Sequence, residues 1–284
     1  MNKPAKHVAL ICNPTIENGK ALRVSDEVVQ LLKAKDIAYT IFTQAWPDVW
    51  EGFTDAWIFG GDGTLNFFIN NYPDTRIPIS IFRGGSGNDF HWMLYGDLST
   101  KDQFEQILKG GTTMVDAGIC NGQLFLNGVG IGFDGSIVKD LVGRKKLAGT
   151  ASYMLSILKN IVAFRETQCN IRMNGENFDE ECFMISIANT KRYGGGFMVA
   201  PHASYSDAKL DLNLVGRIAP LTRMKYLPVI EKGEHIKLPF VRYVQTDSII
   251  INASDDMPAH IDGEYVSTSL FEIACLPKKF LFSL

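Results

Sequence analysis

The stretch Gly60-Gly61-Asp62-Gly63-Thr64, with Asn66 just behind it, holds the residue types that handle phosphate. It follows an apolar run, Ala56 to Phe59, and precedes a helical pattern from Thr64 to Asn71. Glycines let backbone N–H groups approach a ligand, and a helix start adds partial positive charge. An acid inside such a turn repels phosphate, so Asp62 reads as a magnesium partner, direct or through water. The same residues also spell a tight strand-to-helix turn with Asp62 as its N-terminal cap. The turn by itself does not choose between the two.

Its surroundings favour chemistry. His7 to Cys12 reads as a buried strand stopped by Asn13-Pro14. Gly19-Lys20 opens a helix with Ala21, Val24, Val28 and Leu32 on one face. Ile37 to Phe42 is the next strand, with Thr43 at its end, and a short helical connection is expected before Ala56. Pro78 to Phe82 is a further strand and runs into a second glycine turn, Gly84-Gly85-Ser86-Gly87-Asn88-Asp89. Strands alternating with helices predict a parallel sheet covered on both faces. Asn13, Thr43 and both glycine turns then share the edge of the sheet where ligands bind in such folds. Asp62, Asp89 and Asp116 fall near that edge, and gathered carboxylates call for a cation, magnesium being the natural one. Each has a plainer reading, Asp89 as a helix cap and Asp116 as a strand-end residue bonded to local amides. Lys20 adds charge near the phosphate loop or simply stands in solvent.

Beyond a helix over Thr100 to Lys109, capped by Thr100, the pattern changes. Thr113 to Cys120 is a strand, Asn121-Gly122 a hairpin turn, and Gln123 to Phe133 a strand again. Helices are expected over Asp134 to Val142, Ser152 to Phe164 and near Leu221 to Lys232. Strands fall at Gln168 to Met173, Phe183 to Ala188, Asp211 to Val215, Ser248 to Asn252, Ala259 to Asp262 and Leu270 to Cys275. This order gives an α/β N-terminal domain over 1–120 and a β-rich domain over 121–276. The apolar tail 277–284 is expected to pack back on the first domain.

The 284 residues suffice for two modest domains. A formal net charge of −3 gives no global attraction to nucleic acid. Five scattered cysteines lack metal-type spacing and suggest buried thiols in a reducing compartment. The start lacks the apolar core of a signal peptide, and no uncharged apolar run reaches the roughly 18 residues of a membrane helix. The expected location is cytoplasmic, peripheral to the membrane at most. No GxGxxG follows the first strand, which argues against a Rossmann dehydrogenase.

Several segments together resemble the diacylglycerol-kinase-type lipid kinases in their soluble bacterial form. They are Asn13-Pro14 with Gly19; Gly60 to Thr64 with Asn66; Gly85-Ser86-Gly87-Asn88-Asp89-Phe90; Asn127 with Gly130, Gly132, Phe133 and Asp134; Gly194-Gly195-Gly196 leading to Ala200-Pro201; Asp207 with Leu210-Asp211; and Asp262-Gly263-Glu264. They lie in the family's order over nearly the whole chain. The GGDGT turn alone is shared with NAD kinases. The chain departs from the family at Arg83, where proline is usual, at Gly84, at Ser86 in place of threonine, and at Ala208, where glycine follows the aspartate.

The resemblance implies an α/β nucleotide-binding domain and a C-terminal β-sandwich-like domain with a few helices, a fold common to NAD kinase and diacylglycerol kinase. It implies Mg2+-dependent transfer of phosphate from ATP to a lipid hydroxyl, of diacylglycerol or a sphingoid-type lipid, in the interdomain cleft. Phosphate and nucleotide would be held by Asn13, Thr43, Gly60, Gly61, Asp62, Gly63, Thr64, Asn66 and Ser86. Asp62, Asp89 and Asp116 would form the magnesium network. Glu264 would be the general base, although Asp-Gly before it is also an ordinary β-turn pair and His260 is the nearby rival. A second, structural magnesium would use the Asp207 carboxylate and the carbonyls of Ser204 and Lys209. A lipid partner implies transient membrane contact, for which Arg144-Lys145-Lys146, Lys191-Arg192 and Arg217 with Arg223 and Lys225 offer basic clusters; charge runs are also ordinary solvated surface. A homodimer is allowed and a nucleic-acid partner is not expected. Two other functions share these residues: phosphorylation of a soluble molecule such as NAD, and a non-catalytic nucleotide-binding regulator.

Overall fold

The computed structural model describes residues 6–13, 19–142 and 150–284. The chain forms two compact units, Met1–Val115 with Lys278–Leu284, and Asp116–Pro277.

The first unit is built on parallel strands. β1 (His7–Cys12) pairs with β2 (Ala38–Phe42) on one side and β3 (Asp55–Gly60) on the other; β3 pairs with β4 (Ile79–Arg83). Every residue of β3 is buried, as are all but the first of β1, which is what strands covered on both faces require. Helix α1 (Lys20–Ala34) buries Ala21, Ser25, Val28, Val29 and Leu32; Val24 stands at the margin of that face, and the small Ser25 sits inside it, accepting a hydrogen bond from the Cys12 thiol. Helix α2 (Asp62–Asn71) follows β3 directly, and α3 (Asp89–Tyr95) and α4 (Thr100–Leu108) follow β4. The cap of α4 is Ser99 rather than Thr100, since the Ser99 hydroxyl accepts from Asp102 N. No helix forms between β2 and β3; that segment is held as a loop by Trp46 and Trp50, whose rings pack on Phe68 and Tyr72.

The order β4-β3-β1-β2 means that the chain leaves β1 toward β2 and returns past β1 to β3. The loops after β1 and β3 therefore diverge, opening a crevice at the C-terminal strand ends.

The second unit is mainly antiparallel. β5 (Thr112–Cys120), which begins in the first unit, turns at Asn121-Gly122 into β6 (Gln123–Phe125). A break at Leu126-Asn127 separates β6 from β7 (Gly128–Gly132), where a single strand was expected. Its cause is Asp262, whose carboxylate accepts from the N–H groups of Leu126, Asn127 and Gly128. Helices α5 (Phe133–Leu141) and α6 (Thr150–Ala163) come next. Then follow β8 (Thr167–Met173), β9 (Glu176–Cys182), β10 (Met184–Ala188), β11 (Leu210–Val215), α7 (Pro220–Glu231) and β12 (Val241–Thr246). The acid-rich β9 gives no strand signal in sequence; the Asn174-Gly175 turn folds it back on β8, its pairing partner. The two strands expected at Ser248–Asn252 and Ala259–Asp262 are one, β13 (Ser248–Ile261), because β14 (Glu264–Ser283) pairs along both parts across a bulge at Asn252/Met257.

The end of β14 belongs to the first unit. Phe280 and Phe282 are buried there, Phe282 pairs with Ile79, and the Tyr95 hydroxyl donates to Ser283 O at 2.6 Å. The five cysteines are free thiols. No described helix is long and apolar enough to cross a membrane.

Candidate active site

The two glycine turns of the first unit clasp each other. Gly84 N donates to Gly60 O at 2.8 Å, and a Cβ on Gly85 would stand 2.5 Å from Gly61 Cα. A Cβ on Gly61 would stand 2.8 Å from Gly85 Cα, so backbone meets backbone with no room for a methyl group. Asn88, itself left-handed at φ 56°, closes the second turn by donating to Gly85 O and accepting from Gly85 N, both at 2.9 Å. Arg83, at the departure from the resembled pattern, donates to His91 Nδ1 at 3.1 Å, to Gly96 O and to Asp97, tying β4 to both ends of α3. Accepting at Nδ1 and facing Gln103 with Nε2 defines a neutral His91 ring; burial pushes its pKa down to about 4, against the opposing pull of the Gln103 bond.

Asp62 is the first residue of α2 and does not cap it; Gly61 holds that place. Its carboxylate instead crosses to α3, accepting from Asp89 N at 3.1 Å and Phe90 N at 2.9 Å. Nor does Asp89 cap α3, where Asn88 is the N-cap residue. A Cβ on Gly87 would stand 3.0 Å from Asp62 Oδ2 and 3.3 Å from Asp89 Oδ2, so the two carboxylates face one glycine. The N-terminus of α3 is thus occupied by a protein acid, while that of α2 stands at the crevice. Across the crevice Asn13 Nδ2 donates to Thr64 Oγ1 at 3.3 Å.

Beside it lies a hollow of about 850 Å³, lined by Asn13, Thr43, Trp46, Asp48, Phe67 and Tyr72, among others. Trp46 stacks at 21° on Tyr72 and meets Phe67 edge-on, and Phe67 is 59% exposed. These three aromatics were not singled out from sequence: Trp46 lies in the loop after β2, Phe67 on α2 and Tyr72 at its C-cap, and only the fold brings them together. Asn66 is buried, its Oδ1 facing Asn70 Nδ2 at 3.3 Å. Ser86 is exposed on the second turn, and Lys20 is exposed at the start of α1. Pro14 and the basic run Arg144-Lys145-Lys146 lie outside the described residues.

In the second unit Asp116 joins the loop 204–209. Its N–H donates to Tyr205 O, and its Oδ2 accepts from Ala208 N at 2.7 Å. Ala208 has φ 61°, so the loop keeps a glycine-type bend although glycine is absent. Asp207 accepts from Lys209 N and from Gln245 Nε2, each at 3.1 Å. Among the described residues no three His, Cys, Asp or Glu side chains gather as a metal-binding group. Any ion at either aspartate site would therefore take most of its ligands from carbonyls, phosphate or water, which suits magnesium.

Glu264 is exposed and directly follows the Asp262-Gly263 turn. His260 is buried, with Nε2 3.2 Å from Asp134 and Nδ1 accepting from Gly263 N at 3.3 Å; both ring nitrogens are engaged. Arg223, offered above as part of a basic face, is 3% exposed, bridges to Glu166 at 2.6 Å and lies over the Phe183 ring. It is a core residue.

Residues 7–120 match the diacylglycerol kinase catalytic domain, and residues 127–281 match the YegS C-terminal NAD kinase beta sandwich-like domain. A diacylglycerol kinase of Bacillus subtilis is 27% identical over 212 residues, 72% of this chain and 69% of its own. The crystal structure of a diacylglycerol kinase from Bacillus anthracis superposes with a TM-score of 0.75 at 22% identity, covering 99% and 98% of the two chains. An NAD kinase from Archaeoglobus fulgidus in complex with ATP superposes at 0.56 with 14% identity, covering 98% and 93%. The fold is the one anticipated, an N-terminal catalytic domain and a β-sandwich-like C-terminal domain. The protein is a kinase, and it belongs to the diacylglycerol kinase and YegS family of lipid kinases.

Proposed function

We propose that this kinase transfers the γ-phosphoryl group of ATP to the hydroxyl of diacylglycerol or a sphingoid-type lipid. The observation that carries the reading is the clasped pair of glycine turns, which sets the N-terminus of α2 at the crevice between β1 and β3. The backbone of Gly60 to Gly63 and the Thr64 hydroxyl would cradle the phosphates, with Asn13 and Ser86 beside them. The base and ribose would occupy the hollow at Thr43, with Trp46 and Phe67 as its apolar wall. Asp62 and Asp89 are hard oxygen donors whose carboxylates both lie beside Gly87, and they would hold the magnesium. Such an ion would neutralise charge on the phosphate oxygens.

Glu264 would accept the proton of the lipid hydroxyl as its oxygen bonds to the γ-phosphorus and ADP departs, a contribution of ~10²–10⁴ in rate. The proposal extends to a structural ion at Asp207 and the carbonyls of Ser204 and Lys209, with Asp116 fixing the loop through Ala208 N. An apolar seam in the second unit, lined by Phe133, Ile161, Phe183, Met184 and Ile218 among others, is the candidate surface for the lipid chain. It encloses only about 30 Å³, so a chain would have to part α6 from α7.

The test is magnesium-dependent transfer from labelled ATP to a panel of diacylglycerol, monoacylglycerol, sphingosine, ceramide, undecaprenol and NAD. A labelled lipid, lost in Glu264→Gln with ATP still bound, is expected. Labelled NADP would move the chain to soluble acceptors, and near-normal turnover in Glu264→Gln would remove that residue from the role.

A further inference from the structure

The turn that carries Glu264 is held from beneath by two side chains. Asp262 and Gly263 have φ 48° and 88° and join β13 to β14, with Ile261 opposite Glu264. The Asp262 carboxylate accepts from Leu126 N at 2.8 Å and from Asn127 N and Gly128 N at 2.9 Å each. The Gly263 N–H donates to His260 Nδ1 at 3.3 Å. A ring that accepts at Nδ1 carries a proton on Nε2, and that nitrogen lies 3.2 Å from Asp134 Oδ2. Burial would push the Asp134 carboxyl up, but the His260 ring and the Tyr193 hydroxyl hold it below the usual range. Tyr193 in turn lies 2.7 Å from Ser186 Oγ. A Cβ on Gly130 would collide with Asp134 Oδ2 and His260 Nε2, so glycine there leaves room for the pair. An arrangement this deep is more than a surface hairpin needs.

The geometry points to His260 as a positioning residue for Glu264, with Asp134 as its lock. His260 fixes the Gly263 amide, and the peptide that follows it is the one that orients Glu264. This inference rests on Glu264 being the base. It gives His260 no proton-transfer role, since both ring nitrogens are committed within the protein.

Two substitutions separate positioning from plain support. In His260→Gln the side-chain amide reaches the place of Nε2 and can still donate to Asp134, but nothing accepts from Gly263. In His260→Asn the amide oxygen takes the place of Nδ1 and accepts from Gly263, while Asp134 loses the His260 ring and keeps only the Tyr193 hydroxyl. Stability should therefore fall further in His260→Asn. Activity should fall further in His260→Gln, by about 30-fold in kcat with the KM for ATP unchanged, because a slightly misplaced group costs up to ~10²-fold. His260→Asn should restore most of that loss. If it does not fold, the double variant with Asp134→Asn, which leaves no buried charge alone, replaces it.

Hydrogen exchange at the Gly263 amide gives a readout independent of turnover. It should quicken in His260→Gln while Leu126 to Gly128 stay protected. Activity that follows stability across the two variants, or unchanged Gly263 exchange in His260→Gln, would overturn the inference. Glu264→Gln is measured alongside, with the acceptor identified by the labelled-ATP panel. If it is inert while His260→Gln turns over normally, positioning alone fails; if it is active, the base assignment fails and positioning with it.

Discussion

The two units both rely on glycine, for opposite physical reasons. In the first unit Gly61 has an ordinary extended backbone, φ −108°, and what excludes a side chain is space: Gly85 Cα lies where the methyl would go. In the second unit Gly263 has nothing within 4 Å of a built Cβ, and what favours glycine is its φ of 88°. The clasp needs glycine for contact, the hairpin for conformation. Contact of this kind fails abruptly because no rotation relieves it. Conformational strain is a graded cost of ~1–2 kcal/mol that a fold can absorb. Ala208, at φ 61°, is a place where the chain already absorbs it.

The comparison breaks most readily at the clasp. Gly85→Ala should cost more than about 4 kcal/mol or prevent folding, since a backbone must move to admit the methyl. Any folded fraction should have lost ATP binding, read by titration calorimetry beside urea melts. Native-like melting of this variant would show that the turns can part.

Acid tests the same region another way. Folded His91 binds a proton less readily than the unfolded chain, its pKa lying near 4 rather than 6.5. Its contribution is therefore complete above pH 6.5 and is lost as pH falls through about 4, amounting to about 3 kcal/mol. The unfolding free energy of wild type relative to His91→Gln should decline over that window and stay level above it.

The conformational side predicts smaller effects. Gly263→Ala should cost about 1.5 kcal/mol and leave a cooperative melt, because only the dihedral is strained. A cost as large as that of Gly85→Ala would erase the distinction. Ala208→Gly should gain about 1 kcal/mol, visible as a higher urea midpoint, by removing strain the loop now carries. A loss there would mean that the alanine methyl contributes packing that outweighs its strain.

Much of this was legible in the amino-acid order. Apolar runs marked β1, β3 and β4, because a strand buried on both faces must be apolar throughout, and apolar residues also marked β2 at the sheet edge, while helical faces marked α1 and α2. The pairs Asn121-Gly122 and Asn174-Gly175 marked their hairpins, because few residues tolerate left-handed backbone. The parallel order then placed Asn13, Thr43 and both glycine turns on one edge. Other features had no local signal. β9 is acid-rich and becomes a strand only because β8 offers it an edge; β13 runs through Ser254-Asp255-Asp256 because β14 continues beside it.

Side-chain partnership was the other thing hidden from sequence. Of the two readings of Asp62, magnesium partner or cap of its own helix, the cap is not formed, and the carboxylate receives the amides of α3. Arg223 looked like surface charge and is buried against Glu166. His260 looked like a rival to Glu264 and supports its turn. Periodicity and residue type act over a few neighbours, so the sequence by itself determined most of the strands, helices and turns, and which edge of the sheet gathers the candidate site. The partner of a buried charge or amide is chosen by desolvation, which penalises every unpaired group. That choice is made between residues far apart in the chain, and only the tertiary structure decides it.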